Sequence, residues 1–338
     1  LTMKEIGVGV IGTGFIGSKH AEIYASLEGC RLVGICDVNQ ERLHAQCEKL
    51  HCRPFTDYRE LVERDDVDAV SICLPEANHV GASVDCAQRG KHILLEKPLA
   101  TSLEDCDRIL EAVAGSGVTF TVGHLLRFDP KYAQAYEYVR SGGIGNIVQV
   151  KAQRNGMISA GYGAGRGTSV MFHVGIHDVD LMLWFADDSP IRVSAEKADG
   201  VLGSLGTEDA VLSTVKFRKG AIGSVGASWV LNDRLGSGVN ASMEIIGDKG
   251  YISIDLGAER GLRVFSDSDG WLFPDLWHWP SFGGRMGGAL EAQLRHFLRC
   301  IREQTPPLVS GAEARSAVAV VLAALESASK GVPVTLGS

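Results

Sequence analysis

The spacing of apolar positions changes once along the chain, and the change divides it. Through residues 1–124, short apolar runs alternate with stretches of helical period. Runs at 6–12 (IGVGVIG), 31–37 (RLVGICD), 68–74 (DAVSICL), 92–98 (HILLEKP) and 118–124 (VTFTVGH) predict buried strands. Between them, 15–27, 39–50, 81–90 and 102–117 predict helices. The first has Ile16, His20, Ile23 and Leu27 on one face, and the last closes at Gly117. Strand and helix in alternation imply a parallel sheet with helices on its faces. After a helix at 129–143 the pattern changes. Runs at 147–154, 193–198, 209–218, 221–231, 241–247 and 251–256 alternate with period two. That predicts an antiparallel sheet with one buried face. One long helix, 168–186, precedes most of these strands, and two more, 287–303 and 311–329, close the chain. The expected class is α/β. Residues 1–124 form a doubly wound parallel sheet. Residues 125–338 form an α/β domain with a large, mostly antiparallel open sheet.

Composition narrows the class of partners. The chain has 338 residues, enough for two domains, with 45% hydrophobic and 22% charged residues. No apolar run approaches the ~20 residues of a membrane helix. The start, LTMKEIGVGVIGTG, runs straight into a strand and a turn without the pattern of a secretory signal. A cytoplasmic protein with no membrane partner is expected. The net charge is −8 and no Lys/Arg block stands out, so a nucleic-acid partner is not expected. Seven of the eight cysteines fall in the first third and no C-x-x-C occurs. Reduced, mostly buried thiols fit better than a disulfide scaffold or a zinc site.

Gly12-Thr13-Gly14-Phe15-Ile16-Gly17 is G-x-G-x-x-G, placed after a strand and opening a helix. The first glycine permits a tight turn, the second lets the backbone approach a pyrophosphate, and the third lets helix and strand pack closely. Asp37 ends the second strand, 20 residues past Gly17. A carboxylate there accepts hydrogen bonds from ribose hydroxyls and repels a 2′-phosphate. With no arginine immediately following, NAD is expected rather than NADP. Loops at the carboxyl ends of parallel strands line the ligand crevice. LPEANH (74–79) is such a loop, so Leu74, Pro75, Asn78 and His79 are candidates to flank the cofactor. Each fits an ordinary Pro-started helix cap almost as well.

LLEKP (94–98) ends another apolar strand and places Lys97 where solvent is scarce. Desolvation and a positive nicotinamide nearby both lower an amine's pKa, which suits a group that moves a hydroxyl proton. Glu96 is placed to orient it, and Pro98 permits a cis bond. FHVGIHDVD (172–180) holds His173 and His177 four apart. A metal pair, a catalytic base with a companion, and two packed helix histidines all fit those nine residues. H-E-x-x-H is absent and no third ligand is evident, so no metal is expected. Arg127 faces the nicotinamide or substrate, or else forms a surface salt bridge. The glycine-rich stretch 155–168 reads as a lid or a plain connection, with Tyr162 and Arg166 as substrate candidates. WLFPDLWHWPSF (271–282) concentrates aromatics, Trp271 first, that suit a sugar ring, a subunit interface or a core.

GVIGTGFIG, Asp37, LPEANH, LLEKP, HLLRFDPKY (124–132) and IHDVD (176–180) follow one another in an order and spacing that resemble the Gfo/Idh/MocA oxidoreductases. The glycine motif is widely shared; E-K-P at that distance is specific to this family. The resemblance spans essentially the whole chain. It implies a Rossmann domain with NAD and a second domain that binds a polyol or sugar and associates into homo-dimers or homo-tetramers. The implied activity is oxidation or reduction of an inositol, sugar or sugar derivative at a ring hydroxyl. Lys97 and His177 would then act on that hydroxyl beside the nicotinamide, with Glu96 and Lys97 also near the cofactor. Relatives of inositol dehydrogenase usually carry aspartate where this chain has His173. A histidine there either hydrogen-bonds the substrate or leaves Lys97 as the principal base. Two other activities stay open: a glycosidase that oxidises its sugar transiently on tightly held NAD, and a non-catalytic NAD-binding regulator.

Overall fold

In the computed structural model, residues 5–164, 167–235, 239–256, 262, 264–267, 270–272 and 274–337 are described. The chain groups into two compact units. One is Leu1–Phe128 with Trp277–Arg315; the other is Asp129–Leu276 with Ser316–Ser338.

The first unit is built on six parallel strands: β1 (Ile6–Ile11), β2 (Cys30–Cys36), β3 (Arg53–Phe55), β4 (Ala69–Ile72), β5 (His92–Leu95) and β6 (Phe120–Val122). Their order is β3-β2-β1-β4-β5-β6. Every residue of β1 is buried, as befits a central strand covered on both faces. The helices are α1 (Phe15–Ser26), α2 (Gln40–Leu50), α3 (Tyr58–Val62), α4 (His79–Gln88) and α5 (Leu103–Ser116). Local chemistry sets their ends. Asn39 caps α2 by accepting from Arg42 N at 2.9 Å, and Ser102 caps α5 by accepting from Asp105 N at 3.1 Å. Gly117 terminates α5 at φ +69°, a conformation glycine adopts without penalty. The three-residue β3 carries Pro54, which a sheet tolerates at its edge. No period-two signal in the sequence announces so short a strand.

Later in the chain, α6 (Pro130–Arg140), β7 (Ile147–Met157), α7 (Ile158–Ala164), α8 (Ile176–Ala186), β8 (Pro190–Ala198), β9 (Ala210–Phe217), β10 (Ile222–Leu231), β11 (Val239–Gly247) and β12 (Tyr251–Asp255) belong to the second unit. With the C-terminal strand Val334–Thr335, its sheet runs β12-β11-β7-β10-β9-β8 and then that strand. Most pairs are antiparallel, as the alternating pattern predicts. The pair β7 and β10 is parallel, with Val150 opposite Gly223, within the expected mostly antiparallel sheet. The segment between them holds α7, α8, β8 and β9, long enough for the return that a parallel pair needs. Val150, Ala152, Val215, Val225, Ala227, Trp229, Met243 and Ile245 form the buried face. Helix α8 lies against it: a side chain at Gly223 would collide with Met182, and Gly175 packs on Ala227. Leu212 and Ile222 stand exposed elsewhere in the same sheet.

The last long helices are α9 (Gly288–Glu303) and α10 (Gly311–Lys330). Leu290, Leu294, Phe297 and Leu298 of α9 pack into the first unit's core with Val8, Val10, Ile23 and Leu43. No helix among the described residues is long and apolar enough to cross a membrane.

Candidate functional site

In the first unit, the strand order reverses between β1 and β4, so the crevice at their carboxyl ends is where such a sheet takes a ligand. Gly12 sits at φ +87°, and a Cβ there would lie 2.6 Å from the Cys73 carbonyl oxygen. A Cβ on Gly17 would run into the Gly12 carbonyl, whereas one on Gly14 would meet nothing within 4 Å. Space therefore opens where a phosphate would approach. The first turn of α1 has no side-chain cap, which leaves its amides to an anion. These features fit a dinucleotide. Phe15 is exposed and Ile16 half-buried at the start of α1. Phe15 meets the Trp279 ring edge-on at 5.6 Å, and Lys19 Nζ lies 4.8 and 5.1 Å from the two ring centres.

Asp37 is buried at the end of β2 with four protein donors on its two oxygens. Thr13 gives its N–H and hydroxyl to Oδ2, both at 2.8 Å. Asn39 N–H and Arg42 Nη2 reach Oδ1, also at 2.8 Å. Burial alone would raise its pKa. The hydrogen bonds from Arg42, Asn39 and Thr13 more than offset that and leave it at about 2. A carboxylate offers about four acceptor positions, so a ribose hydroxyl must displace a donor already there. Arg42, with a side chain 44% exposed, is the donor freest to leave. It comes five residues after Asp37 and does not follow it immediately.

Leu74 is half-buried, and Pro75 and Asn78 are exposed on the turn after β4. His79 differs from its expected place beside the ribose. It is 1% exposed, with Nδ1 2.9 Å from Pro98 O and Nε2 2.9 Å from Leu74 O. Both ring nitrogens face main-chain carbonyls, so neither points to a ribose. Burial lowers its pKa, against those two carbonyls. Arg127 is also buried, and its Nη1 donates to Glu313 Oε1 at 2.6 Å and to Leu308 O at 3.2 Å. It ties the turn Leu125–Phe128 to the start of α10 through an ion pair in which the arginine is buried and the glutamate partly exposed.

Glu96 and Lys97 follow β5. Lys97 is half-buried and the Lys97–Pro98 bond is cis. Glu96 is 5% exposed; its Oε2 accepts the Lys97 N–H at 3.2 Å and its Oε1 lies 3.3 Å from His20 Nε2. Burial pushes this carboxyl's pKa up, but the His20 and Lys97 contacts outweigh it and hold it below the usual value. A Cβ on Gly123 would come within 2.7 Å of Glu96 Oε1, so glycine makes the room. The sequence put His20 on the helix's apolar face; an ionisable group there was the available signal.

In the second unit, the histidine helix begins differently from the single helix 168–186 anticipated. Met171–Gly175 form a wider π turn that leads into α8. Such turns occur often at functional sites. Glu208 caps its start, accepting from the Ser169 hydroxyl and from Val170 N–H. Between Met171 and Phe185 every residue is buried except His173, His177 and Leu183. The two histidines thus mark the accessible part of an otherwise enclosed helix. His173 is exposed, 5.8 Å from the Trp229 ring centre, and His177 is half-buried. Among the described residues no group of three or more His, Cys, Asp and Glu side chains is placed to hold a metal ion.

Beside His177, Asp178 is fully buried and takes a two-pronged contact from Arg154 of β7, Nε to Oδ2 at 3.0 Å and Nη2 to Oδ1 at 2.9 Å. Nη2 also reaches Tyr132 Oη at 3.3 Å. Burial opposes the charge on Arg154, and the Asp178 carboxylate more than compensates. An inward charge at the next position after Val150 and Ala152 was the sequence signal that went unread. Arg154→Leu should lower stability by about 3–5 kcal/mol, because it strands a buried carboxylate. The urea midpoint checks this, and Arg154→Leu/Asp178→Leu should recover part of the loss.

Tyr162 is 54% exposed on α7, so part of the glycine-rich stretch 155–168 is helix. Arg166 lies outside the described residues. Trp271 belongs to the short strand Gly270–Leu272, its side chain outside the described part. Trp277 and Trp279 group with the first unit.

A parallel sheet of this order, with a glycine turn and an acid at its switch point, defines a dinucleotide-binding unit. Residues 6–124 match the model of the oxidoreductase family with an NAD-binding Rossmann fold, and residues 132–253 match the Gfo/Idh/MocA C-terminal domain. The chain is 30% identical to scyllo-inositol 2-dehydrogenase (NAD(+)) of Bacillus subtilis, over 98% of this chain and 96% of that one. It is 29% identical to myo-inositol 2-dehydrogenase of Thermotoga maritima, over 95% of each. A crystal structure of scyllo-inositol dehydrogenase from Lactobacillus casei with bound cofactor NAD(H) and scyllo-inositol shares the fold at a TM-score of 0.87. Its sequence is 23% identical, over 99% of this chain and 100% of that one. The chain belongs to the Gfo/Idh/MocA oxidoreductase family, and NAD is its cofactor.

Proposed function

We propose that the protein is an NAD-dependent dehydrogenase of a ring secondary alcohol in an inositol, a sugar or a sugar derivative. The observation that carries the reading is the buried Glu96 beside Lys97, at the end of a strand in the same sheet as the glycine turn and Asp37. A unit that only bound NAD would gain nothing from fixing a lysine there. The curated relatives named above support the class of alcohol.

In this reading the glycine turn and Asp37 hold NAD, which supplies the hydride acceptor when bound. The carbon gives up hydride only as its hydroxyl gives up a proton, so a base within hydrogen-bond reach is required. Lys97 and His177 share that proton, and histidine titrates in the range where it can take and return it. His173 orients a substrate hydroxyl without adding negative charge. We further assign the exposed Leu212 and Ile222 to an interface between copies of the chain, which light scattering would test as a dimer or tetramer.

The test is NADH formation with NAD or NADP against inositol isomers, hexoses and 1,5-anhydrohexoses. Turnover with NAD on one of the inositols or sugars is the expected result. Cleavage of a chromogenic glycoside without NADH accumulation would replace the reading with a redox glycosidase. NAD binding with no turnover of any of these alcohols or glycosides would replace it with a regulator.

A further inference from the structure

Beneath Lys97 lies a row of buried polar side chains that the proposed proton transfer does not use. Tyr24, His20 and Ser71 have no exposed surface. Tyr24 Oη is 3.0 Å from Ser71 Oγ, which is 3.1 Å from His20 Nδ1. His20 Nε2 is 3.3 Å from Glu96 Oε1, and Glu96 Oε2 accepts the Lys97 N–H. Hydrogens fit along this row in one sense. Tyr24 O–H points to Ser71 and Ser71 O–H to His20 Nδ1, which leaves the His20 Nε2–H side facing Glu96 Oε1 at 3.3 Å, an ion-pair contact and not an aligned hydrogen bond. The reverse sense strands the Tyr24 hydrogen. Burial raises the Tyr24 pKa, in keeping with a hydroxyl that only donates.

Stability of the sheet does not call for this row. It runs among Ala21, Ile23, Ala69 and Leu94, where apolar side chains of similar volume would serve the core as well. Its end is specific: the main-chain N–H of Lys97. On the other side of that residue, His79 holds the Pro98 carbonyl. We infer that His20 is a positioning residue for Lys97, orienting the Glu96 carboxylate that fixes the Lys97 peptide. The inference rests on the reading of Lys97 as the group that handles the substrate proton. The groups that face Glu96 are His20 and, behind it, Tyr24 on α1, Cys73 after β4, His79 on α4, and Lys97 itself. Of these, only His20 and Lys97 contact the carboxylate. Without His20, burial of Glu96 loses its main opposition. The carboxyl is then easier to protonate and free to turn away, and Lys97 loses a fixed negative neighbour.

Two readouts test this on the full chain. The first needs no substrate: trace acetylation of lysines by acetic anhydride across pH, quantified by peptide mass spectrometry. In His20→Ala the midpoint for Lys97 should move to lower pH by roughly one unit or more, because a nearby opposite charge has gone. Lys91 and Lys249 should not move. His20→Gln keeps an N–H for Glu96 and should restore the wild-type midpoint. An unmoved Lys97 in His20→Ala that still binds NAD overturns the inference. If His20→Ala does not fold, Ser71→Ala takes its place with a smaller shift in the same direction, and a wild-type midpoint there overturns it equally. The second readout is turnover of the alcohol that the NADH assay on the substrate panel identifies. In His20→Ala, kcat should fall roughly ten- to hundredfold with NAD affinity unchanged, the scale of a misplaced reacting group. Its acid limb should move to lower pH, together with the Lys97 midpoint. Lys97→Ala beside it separates two failures. Full activity in that variant removes Lys97 from the chemistry and leaves the titration result standing. An inactive Lys97→Ala with an unaffected His20→Ala refutes the positioning role alone.

Discussion

Lys97→Ala should lower kcat by roughly 10²–10⁴-fold and leave the Kd for NAD within about a factor of two, the range for loss of a general acid–base group. The reason lies in which contacts the substitution removes. The ammonium goes, while the Glu96 carboxylate keeps the N–H of residue 97, because that bond is to the main chain. The glycine turn and Asp37 belong to other strands of the sheet and lose nothing. Lys97→Arg sharpens the result. Arginine keeps the positive charge but cannot yield its proton at working pH, so it should stay nearly as slow as alanine. If arginine recovers most of the rate, the residue supplies charge alone and His177 carries the proton. Stopped-flow NADH formation and NAD titration by tryptophan fluorescence would separate the rate from the binding.

The same comparison shows what the sequence could and could not reveal. Features of short range were legible: strand and helix spacing, the glycine turn, the acid after β2, and Glu96-Lys97-Pro98. Each depends on residues that are neighbours in the chain. What escaped depends on meetings across sequence distance. His20 meets Glu96 and Arg154 meets Asp178 at sequence separations of 76 and 24, and no local period signals either pair. Helix α9 has a clear apolar stripe, but a stripe does not say which core it will fill. The β7–β10 pair reads as period two whether it runs parallel or antiparallel. Each histidine or lysine proposed to react has a buried carboxylate as its chain neighbour, Glu96 beside Lys97 and Asp178 beside His177. Both carboxylates meet a nitrogen base from a separate element, so both reacting groups start from a fixed main chain.

Asp37→Ser should change the cofactor preference, with the kcat/KM ratio of NAD to NADP falling roughly a thousandfold. Two effects multiply. NAD loses charge-assisted hydrogen bonds to its ribose, about 1.5–3 kcal/mol. NADP loses a repulsion and gains a partner, since Arg42 Nη2, now 2.8 Å from Asp37 Oδ1, is released beside the 2′-position. Asp37 has a pKa of about 2, so wild-type discrimination against NADP should be constant across ordinary assay pH and fade only under strong acid. The sign follows from the lowered value: the charge is present above it and lost only as pH falls through it. The variant also loses the acceptor for Thr13 and Asn39, so a weaker glycine turn could by itself reduce NAD use. Asp37→Ser/Arg42→Ala distinguishes the two causes. If Arg42 draws the phosphate, the second substitution abolishes the gain with NADP and leaves the loss with NAD. If NADP use is equal in the single and double variants, Arg42 plays no part, and the carboxylate's repulsion alone kept NADP out.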